Sequence, residues 1–403
     1  MTTVADSQSS TQTPGQWAVR WVGIVVAAVT CVSVPLVHVV WHGLLGNAEP
    51  LLRTRSQLPA PAVTVASLAD GSWMLAKEKQ LREDSPITWW LRSNWNELRY
   101  RLGAPESAQV HFGKDEWFYI RESVLPDRAA WDRAAPARRA FVADVRDLVQ
   151  RAGAELFVLL VPDKARVHPE ACYPGGELPP QKRDNYAAAL AEFEALGIAT
   201  VDLAAVMAAA RASDPAAELY YRRDTHWRPA GALAAGRAVA TAIEARYGER
   251  LGPRSTMRLR GPLMVRLVGD LPANMGIATL ELPDPVLGRR TAPMSLLADR
   301  LCEVREYWDV EMETPAGPRL LDGTDGDAPV WMLSTSFGEE NGADAIAYWL
   351  GRSVRTTTAY GAVGLEPLRR ALPELRNGTR SKVVIWEIVE RGLFDPVWRE
   401  QKL

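Results

Sequence analysis

Hydrophobic and polar positions change period several times along this chain, and each change marks an element. Glu155 to Pro162 (ELFVLLVP) is a continuous apolar run of the kind that forms a parallel strand buried on both faces. Pro329 to Leu333 (PVWML) and Lys382 to Glu390 (KVVIWEIVE) repeat that pattern. Around these runs the period lengthens: helices are predicted over 130–152, over 181–196, from Pro229 to about Tyr247 and near 365–375. Pro229 stands where its fixed φ suits a first helical turn and its missing N–H costs nothing. ATVDL (Ala199 to Leu203), SVRTTTAY and a helical AIAYWLG complete an alternation of strands and helices, which predicts an α/β fold around a mostly parallel sheet with flanking helices. HFGKDEWFYI (His111 to Ile120) is strand-like with a Gly-Lys-Asp turn at its start, and the tryptophans among charges from Ser72 to Arg101 predict amphipathic helix. Residues 252–328 follow neither period and read as an insertion or lid-like lobe.

The N-terminus breaks the pattern in another way. Val22 to Val40 contains no Asp, Glu, Lys or Arg and is bracketed by Trp21 and Trp41. At ~1.5 Å per residue, a helix of this length covers roughly 28 Å, close to the hydrocarbon thickness of a bilayer. The tryptophans match an interfacial aromatic belt, and Pro35 is tolerable in a membrane helix. A buried core helix is disfavoured because the run is apolar all round, and a cleaved signal peptide because the run exceeds the usual h-region. The reading is a short tail at 1–20, one transmembrane helix at 21–41, a Pro/Ala-rich linker at 42–70 and a catalytic domain at 71–403. Arg20 on one side and Arg53 and Arg55 on the other leave the orientation undecided by charge.

Charge and composition exclude more than they assign. Lys+Arg 47 against Asp+Glu 49 leaves a net charge of −2, so there is no uniform basic field for nucleic acid. The three cysteines form no CxxC pair, no HExxH occurs, and no Walker A or GxGxxG follows a strand. In an oxidising compartment Cys172 and Cys302 would be the pair available for a disulfide, though nothing in the sequence brings them together. With His38 and His42 in or beside the apolar run, a catalytic domain has only His111, His168 and His226 to draw on.

In open parallel sheets ligands bind beyond the carboxyl ends of the strands, and two segments arrive there. One is Asp224-Thr225-His226-Trp227, just before the Pro229 helix; the other is Ser334-Thr335-Ser336, just after the strand Pro329 to Leu333. A serine hydroxyl needs a base to take its proton, imidazole is the usual base near neutral pH, and a carboxylate usually fixes the imidazole tautomer. The same residues also permit a plainer reading. Asp224 and His226 would then cap a helix, and Ser336 would be an N-cap in a capping box with Glu339. His111, opening a strand, and His168, beside Pro169, read as structural.

GKDEWFYI (113–120), FVLLVPDKARVHPE (157–170), YYRRDTHWRPAGA (220–232), GDL (269–271), WMLSTSF (331–337) and VVIWEIVERGLF (383–394) occur in that order. Together they make the chain similar to the SGNH-hydrolase-like acetyltransferases of the alginate O-acetylation machinery, the AlgJ/AlgX type. The resemblance implies an SGNH-hydrolase-like, flavodoxin-like sheet. It also implies Ser336 as nucleophile, His226 as general base and Asp224 as the partner that orients it. Lys164, Tyr221, Arg222 and Arg391 also match: Lys164 either reaches a carboxylated sugar or is a solvated surface lysine, Tyr221 either stacks on a sugar ring or supports the loop of Asp224, and Arg222 and Arg391 either bind substrate or form structural ion pairs. One position departs: the family's glycine two residues before the nucleophile is Ser334 here, which would distort the turn or compete as a nucleophile. The implied function is a single-pass inner-membrane protein with its domain in the periplasm, moving acetyl groups onto alginate or another exopolysaccharide. No metal or organic cofactor is required, and a membrane-bound O-acyltransferase-type protein would supply the acetyl group. The rivals are an acetyl esterase with the same triad and a non-catalytic glycan-binding scaffold.

Overall fold

The three continuous apolar runs of the sequence lie side by side in one parallel sheet. The computed structural model describes residues 21, 25, 63–76, 78, 86–103, 107–124, 128–277, 279–284, 288–293, 301–359 and 364–399. In chain order the strands are β1 (Val110–Phe112), β2 (Phe118–Ile120), β3 (Glu155–Val161), β4 (Ala199–Thr200), β5 (Met257–Val268), β6 (Thr279–Asp284), β7 (Gly288–Pro293), β8 (Cys302–Thr314), β9 (Gly317–Leu320), β10 (Val330–Ser334), β11 (Val354–Thr358) and β12 (Val383–Val389). The principal helices are α1 (Pro86–Arg101), α2 (Arg128–Arg151), α3 (Pro180–Ala195), α4 (Leu203–Ser213), α5 (Pro229–Tyr247), α6 (Ala343–Leu350) and α7 (Leu365–Asn377).

The main sheet has the order β11-β10-β12-β3-β4 with every pairing parallel. Numbered by appearance in the chain, its five strands run 2-1-5-3-4. Flavodoxin itself runs 2-1-3-4-5; here the last of the five strands takes the central place in the same kind of parallel sheet with helical layers. The C-terminal strand β12 inserts at the centre, where all seven of its residues are buried. Alternate side chains feed two cores. Leu156, Val158, Leu160, Trp331, Leu333, Val384 and Trp386 pack with α2, α3 and α7, and Phe157, Leu159, Val330, Met332, Val383 and Ile385 pack with α4, α5 and α6. α5 and α6 approach closely because Gly236 faces Ala345, where an added Cβ would come within 2.6 Å of main-chain carbon.

Several predicted elements changed on folding. His111 to Ile120 is an antiparallel hairpin, β1 with β2, closed by Gly113 N–H to Trp117 O at 2.8 Å. The Ala199 to Leu203 strand stops at Thr200, because the Asp202 carboxylate accepts from Ala205 N and caps α4. Part of the stretch 252–328 forms a three-stranded ribbon. β5 pairs with β8 along nearly their full lengths, broken only by a register shift between Arg260 and Leu263, and β9 adds a third strand. Most ribbon side chains are half-buried or exposed on both faces, so its strands lack a clean apolar alternation.

The chain divides into two compact units, residues 1–101 with 276–298 and residues 102–275 with 299–403. Within the first, α1 carries a Glu97–Arg101 ion pair at 2.7 Å, and β6 and β7 form a hairpin. The second holds the parallel sheet, its helices and the β5-β8-β9 ribbon. Apart from Val25, the apolar run Val22 to Val40 lies outside the described residues; among those described, no helix is long and apolar enough to cross a membrane.

Candidate active site

The Asp-Thr-His segment is the tip of a tight loop clamped from three directions. Tyr220 and Trp227 close it as an isolated antiparallel bridge, with Tyr221 N–H donating to His226 O at 3.1 Å. From the end of β3, Lys164 sends its ammonium into the loop, donating to the carbonyls of Tyr221 and Arg222 at 3.0 Å each and of Asp224 at 2.8 Å. From the ribbon, the Glu303 carboxylate accepts the N–H groups of Arg222 (2.9 Å) and Arg223 (2.7 Å). Asp270 accepts Thr225 N–H at 2.8 Å and the Thr225 hydroxyl at 2.5 Å. Gly269 lets that third clamp approach, since a Cβ there would collide with the carbonyl of Arg223.

This clamping presents two side chains in fixed roles. The fully buried Asp224 carboxylate accepts His226 N–H at 3.0 Å and His226 Nδ1–H at 2.6 Å through Oδ1. The Nε2 lone pair is thereby left facing the Ser336 hydroxyl, which donates to it at 2.7 Å. The second oxygen of Asp224 accepts Asp270 N–H at 2.8 Å and the Arg305 guanidinium. Phe337 packs on the imidazole at 4.9 Å between centroids, and Trp227 packs edge-on against Phe337. Ser336 itself is half-buried, so its hydroxyl borders both the imidazole and solvent.

Ser336 follows β10 by one residue, and that residue is anchored. Thr335, buried, donates its N–H at 3.0 Å and its hydroxyl to Glu387 Oε1 on β12. Glu387 is fully buried, and its other oxygen has no hydrogen-bond partner among the described residues. Burial pushes this carboxyl up to about 7, against the opposing pull of the Thr335 hydrogen bonds and of His226. Ser334, the departure from the family pattern, ends β10 fully buried, with its hydroxyl 2.7 Å from the Thr358 hydroxyl of β11. It neither touches His226 nor needs a positive φ. The Ser336 and Glu339 capping box does not form, because no side chain caps this helical segment and the Ser336 hydroxyl is on the imidazole.

The other candidates already make contacts within the protein. Lys164 is buried and its three protons are spent on loop carbonyls, so it is not placed for a sugar carboxylate. Burial pushes its ammonium down to about 7, against the attraction of Glu303 and Asp270. Tyr221 is only 1% exposed and its hydroxyl accepts Glu306 N–H, which leaves no ring face for a sugar. Arg222 pairs with Glu218 at 2.6 Å. Arg391 pairs with Asp163 at 3.3 Å, inside a buried network with Lys182, Glu390 and Arg166. His168 accepts Leu219 N–H at 3.2 Å and packs on Trp117, and His111 contacts Cys172 O. Cys172 is buried and Cys302 half-buried, and the two are not joined in a disulfide.

Asp224, His226 and Asp270 also bring three potential ligand atoms within 4.8 Å of one another. Here the donor set serves hydrogen bonds: Asp224 binds the imidazole and a guanidinium, and both Asp270 oxygens bind Thr225. Sequence reading missed Glu303, Arg305 and Glu387. A carboxylate in the middle of the apolar run KVVIWEIVE was a usable signal for Glu387; the two ribbon residues carried none.

A parallel α/β sheet with a serine, an imidazole and a carboxylate hydrogen-bonded in line beyond its strand ends defines an SGNH-hydrolase-like protein. Residues 110–390 match the family of the SGNH hydrolase-like domain, acetyltransferase AlgX, and the chain belongs to that family. Among its relatives, the "Probable alginate O-acetylase AlgJ" of Pseudomonas putida is 28% identical over 358 residues, 83% of this chain and 85% of the relative. The protein of the same description from Pseudomonas aeruginosa is 27% identical over 382 residues, 89% and 90% of the two chains. The solved O-acetyltransferase domain of Pseudomonas putida AlgJ superposes with a TM-score of 0.55 at 26% identity, covering 72% of this chain and 98% of that one.

Proposed function

We propose that this chain is an alginate O-acetyltransferase that works through an acetyl-serine intermediate on Ser336. The carrying observation is the in-line array Ser336–His226–Asp224, with hydrogen bonds of 2.7 and 2.6 Å. Membership of an acetyltransferase family and likeness to alginate O-acetylases over most of the chain support the chemistry and the polymer.

In this reading Ser336 Oγ attacks the carbonyl carbon of an acetyl donor while His226 Nε2 takes its proton, and Asp224 stabilises the imidazolium. Collapse of the tetrahedral intermediate expels the donor's leaving group, which takes that proton. A sugar hydroxyl then gives its proton to Nε2 and attacks the acetyl-serine, and Ser336 recovers its proton as the acetylated polymer leaves. No step requires a metal or an organic cofactor.

The reading also places Val22 to Val40 as an uncleaved inner-membrane anchor with the domain in the periplasm, supported by the length of an uncharged run flanked by tryptophans. A periplasmic domain has no acetyl-CoA, so a membrane-bound O-acyltransferase-type partner would deliver the acetyl group, and an anchor would keep the domain near it. The test is intact-protein mass spectrometry after brief exposure of the full chain to nitrophenyl acetate. A single added acetyl group, mapped to Ser336 and discharged by oligomannuronate with formation of its acetyl ester, supports the reading. Absence of the adduct argues for a scaffold, and discharge only to water argues for an esterase.

A further inference from the structure

The triad carboxylate carries a cation that the ordinary three-residue arrangement does not need. Arg305, on β8 of the ribbon, reaches across to Asp224 Oδ2 with one nitrogen and to Glu340 Oε1 at 2.5 Å with another. Arg305 is 7% exposed, and its guanidinium lies over the Tyr221 ring at 5.5 Å. Glu340 sits four residues after Ser336, and its main-chain carbonyl accepts Trp227 Nε1–H at 2.7 Å. A ring closes: Ser336 to His226, His226 to Asp224, Asp224 to Arg305, Arg305 to Glu340, and Glu340 back to Ser336 along four residues of a helical segment that kinks at Glu340. The ribbon is stitched to the same turn by Trp308 N–H to Asn341 Oδ1 (2.9 Å) and Asn341 Nδ2–H to Glu306 O (3.0 Å).

We propose that Arg305 is a positioning residue of the active site: it fixes Asp224 and sets how much negative charge that carboxylate presents to His226. The inference rests on the Ser336–His226–Asp224 reading above. In a site shielded from water, a guanidinium on one carboxylate oxygen offsets the field that the other oxygen exerts on the imidazole. Glu340, sharing the same guanidinium, moderates that offset. The remaining groups facing this array are the Ser336 hydroxyl, the Phe337 ring, the Tyr307 hydroxyl beside Arg305, from β12 the buried Glu387 carboxyl, and Asp270, which gives its N–H to Asp224 and holds a carboxylate oxygen within 4.8 Å of the Asp224 and His226 ligand atoms; all of these are common to the variants compared. The ribbon therefore acts on the triad carboxylate through Arg305, beside the loop clamp of Glu303, without supplying a nucleophile or a base.

The experiment is the pH dependence of kcat/KM for nitrophenyl acetate, measured on the full chain and on Ser336→Ala, Arg305→Met, Arg305→Lys and Glu340→Gln, with folding checked by circular dichroism. Removing the guanidinium leaves Asp224 fully charged against the imidazole, so the acid limb of Arg305→Met moves to higher pH by about one unit. Its plateau kcat falls roughly tenfold, because Asp224 is less well held, while KM stays the same. Arg305→Lys restores the limb to within a few tenths of a unit. Glu340→Gln removes the competing carboxylate and moves the limb the opposite way, to lower pH. Opposite shifts from the two sides of one guanidinium are not produced by a purely structural loss. An unmoved limb in Arg305→Met, or shifts of the same sign in Arg305→Met and Glu340→Gln, overturns the proposal. If Arg305→Met does not fold, the sign of the Glu340→Gln shift decides alone. Activity persisting in Ser336→Ala would instead overturn the triad reading itself.

Discussion

Gly338 lies directly against Ser334. A Cβ on Gly338 would collide with the Ser334 Cβ and come 2.7 Å from its Oγ. The small residue demanded by the tight crossing from β10 into the helical turn is therefore present here two positions after Ser336, and the side chain before it is tolerated. Gly338→Ala should push the turn off Ser334, lowering acetyl-serine formation roughly tenfold or more, and Ser334→Gly in the same chain should recover most of it. Burst kinetics with nitrophenyl acetate on the two single variants and the double would measure this. Additive losses in place of rescue would mean that the two residues do not compete for one space.

Ser334→Ala alone should keep most activity, because it removes only the hydrogen bond to Thr358. Ser336→Ala, His226→Ala and Asp224→Ala should each lose roughly 1,000-fold or more in kcat. The double variant Ser336→Ala/His226→Ala should be little worse than either parent, as expected of residues acting as one unit. A dead Ser334→Ala beside an active Ser336→Ala would assign the nucleophile to the wrong serine.

Lys164 should matter through the loop and not through the glycan. Lys164→Met takes the ammonium from three loop carbonyls, of which Arg222 O keeps the Phe118 N–H at 2.8 Å, and a loss of roughly 2–4 kcal/mol in urea denaturation is expected. In the fraction that folds, kcat should fall while KM for oligomannuronate is unchanged. A rise in KM with kcat preserved would return Lys164 to the substrate.

Glu387 gives the fold a pH dependence of definite sign. Its carboxyl sits at about 7 in the folded chain against 4.5 as a free group, so between those values the folded state binds more proton than the unfolded state. Stability from this group is present below about pH 4.5 and is lost as pH rises through about 7, a difference of about 3 kcal/mol at most. Glu387→Gln keeps an acceptor for Thr335 and removes the titration. Chemical denaturation at pH 5 and pH 8 should show the variant gaining on the parent at the higher pH, and equal differences at the two pH values would show that the carboxyl does not titrate there.

The acetyl donor offers a further check. The purified full chain should take acetyl from nitrophenyl acetate and not from acetyl-CoA, and the protein should sediment with membranes and resist salt extraction. Efficient transfer from acetyl-CoA would remove the need for a membrane partner. Recovery in a soluble fraction with a new N-terminus near Glu49 would show that Val22 to Val40 is a cleaved leader.

Periodicity along the chain determined the existence of the buried strands and long helices, because a strand buried on both faces must be apolar at every position and a helix packed on one side must repeat every third or fourth. The Asp224-Thr225-His226 and Ser336 segments were legible for a related reason: each stands next to a strand or helix boundary with the residue types that acyl transfer needs. Tertiary structure alone decided the rest. The strand order, with β12 slipped between β10 and β3, depends on which apolar faces meet, and each of those strands is apolar on both. Lys164 read as a surface charge, yet it is a buried clamp, because its acceptors are main-chain carbonyls that leave no mark in a sequence. Arg305 and Glu303 reach the site from a ribbon whose half-exposed strands carry no strong period. Their importance comes from a carboxylate and two amides about 80 residues away, a distance that only folding brings to hydrogen-bond length.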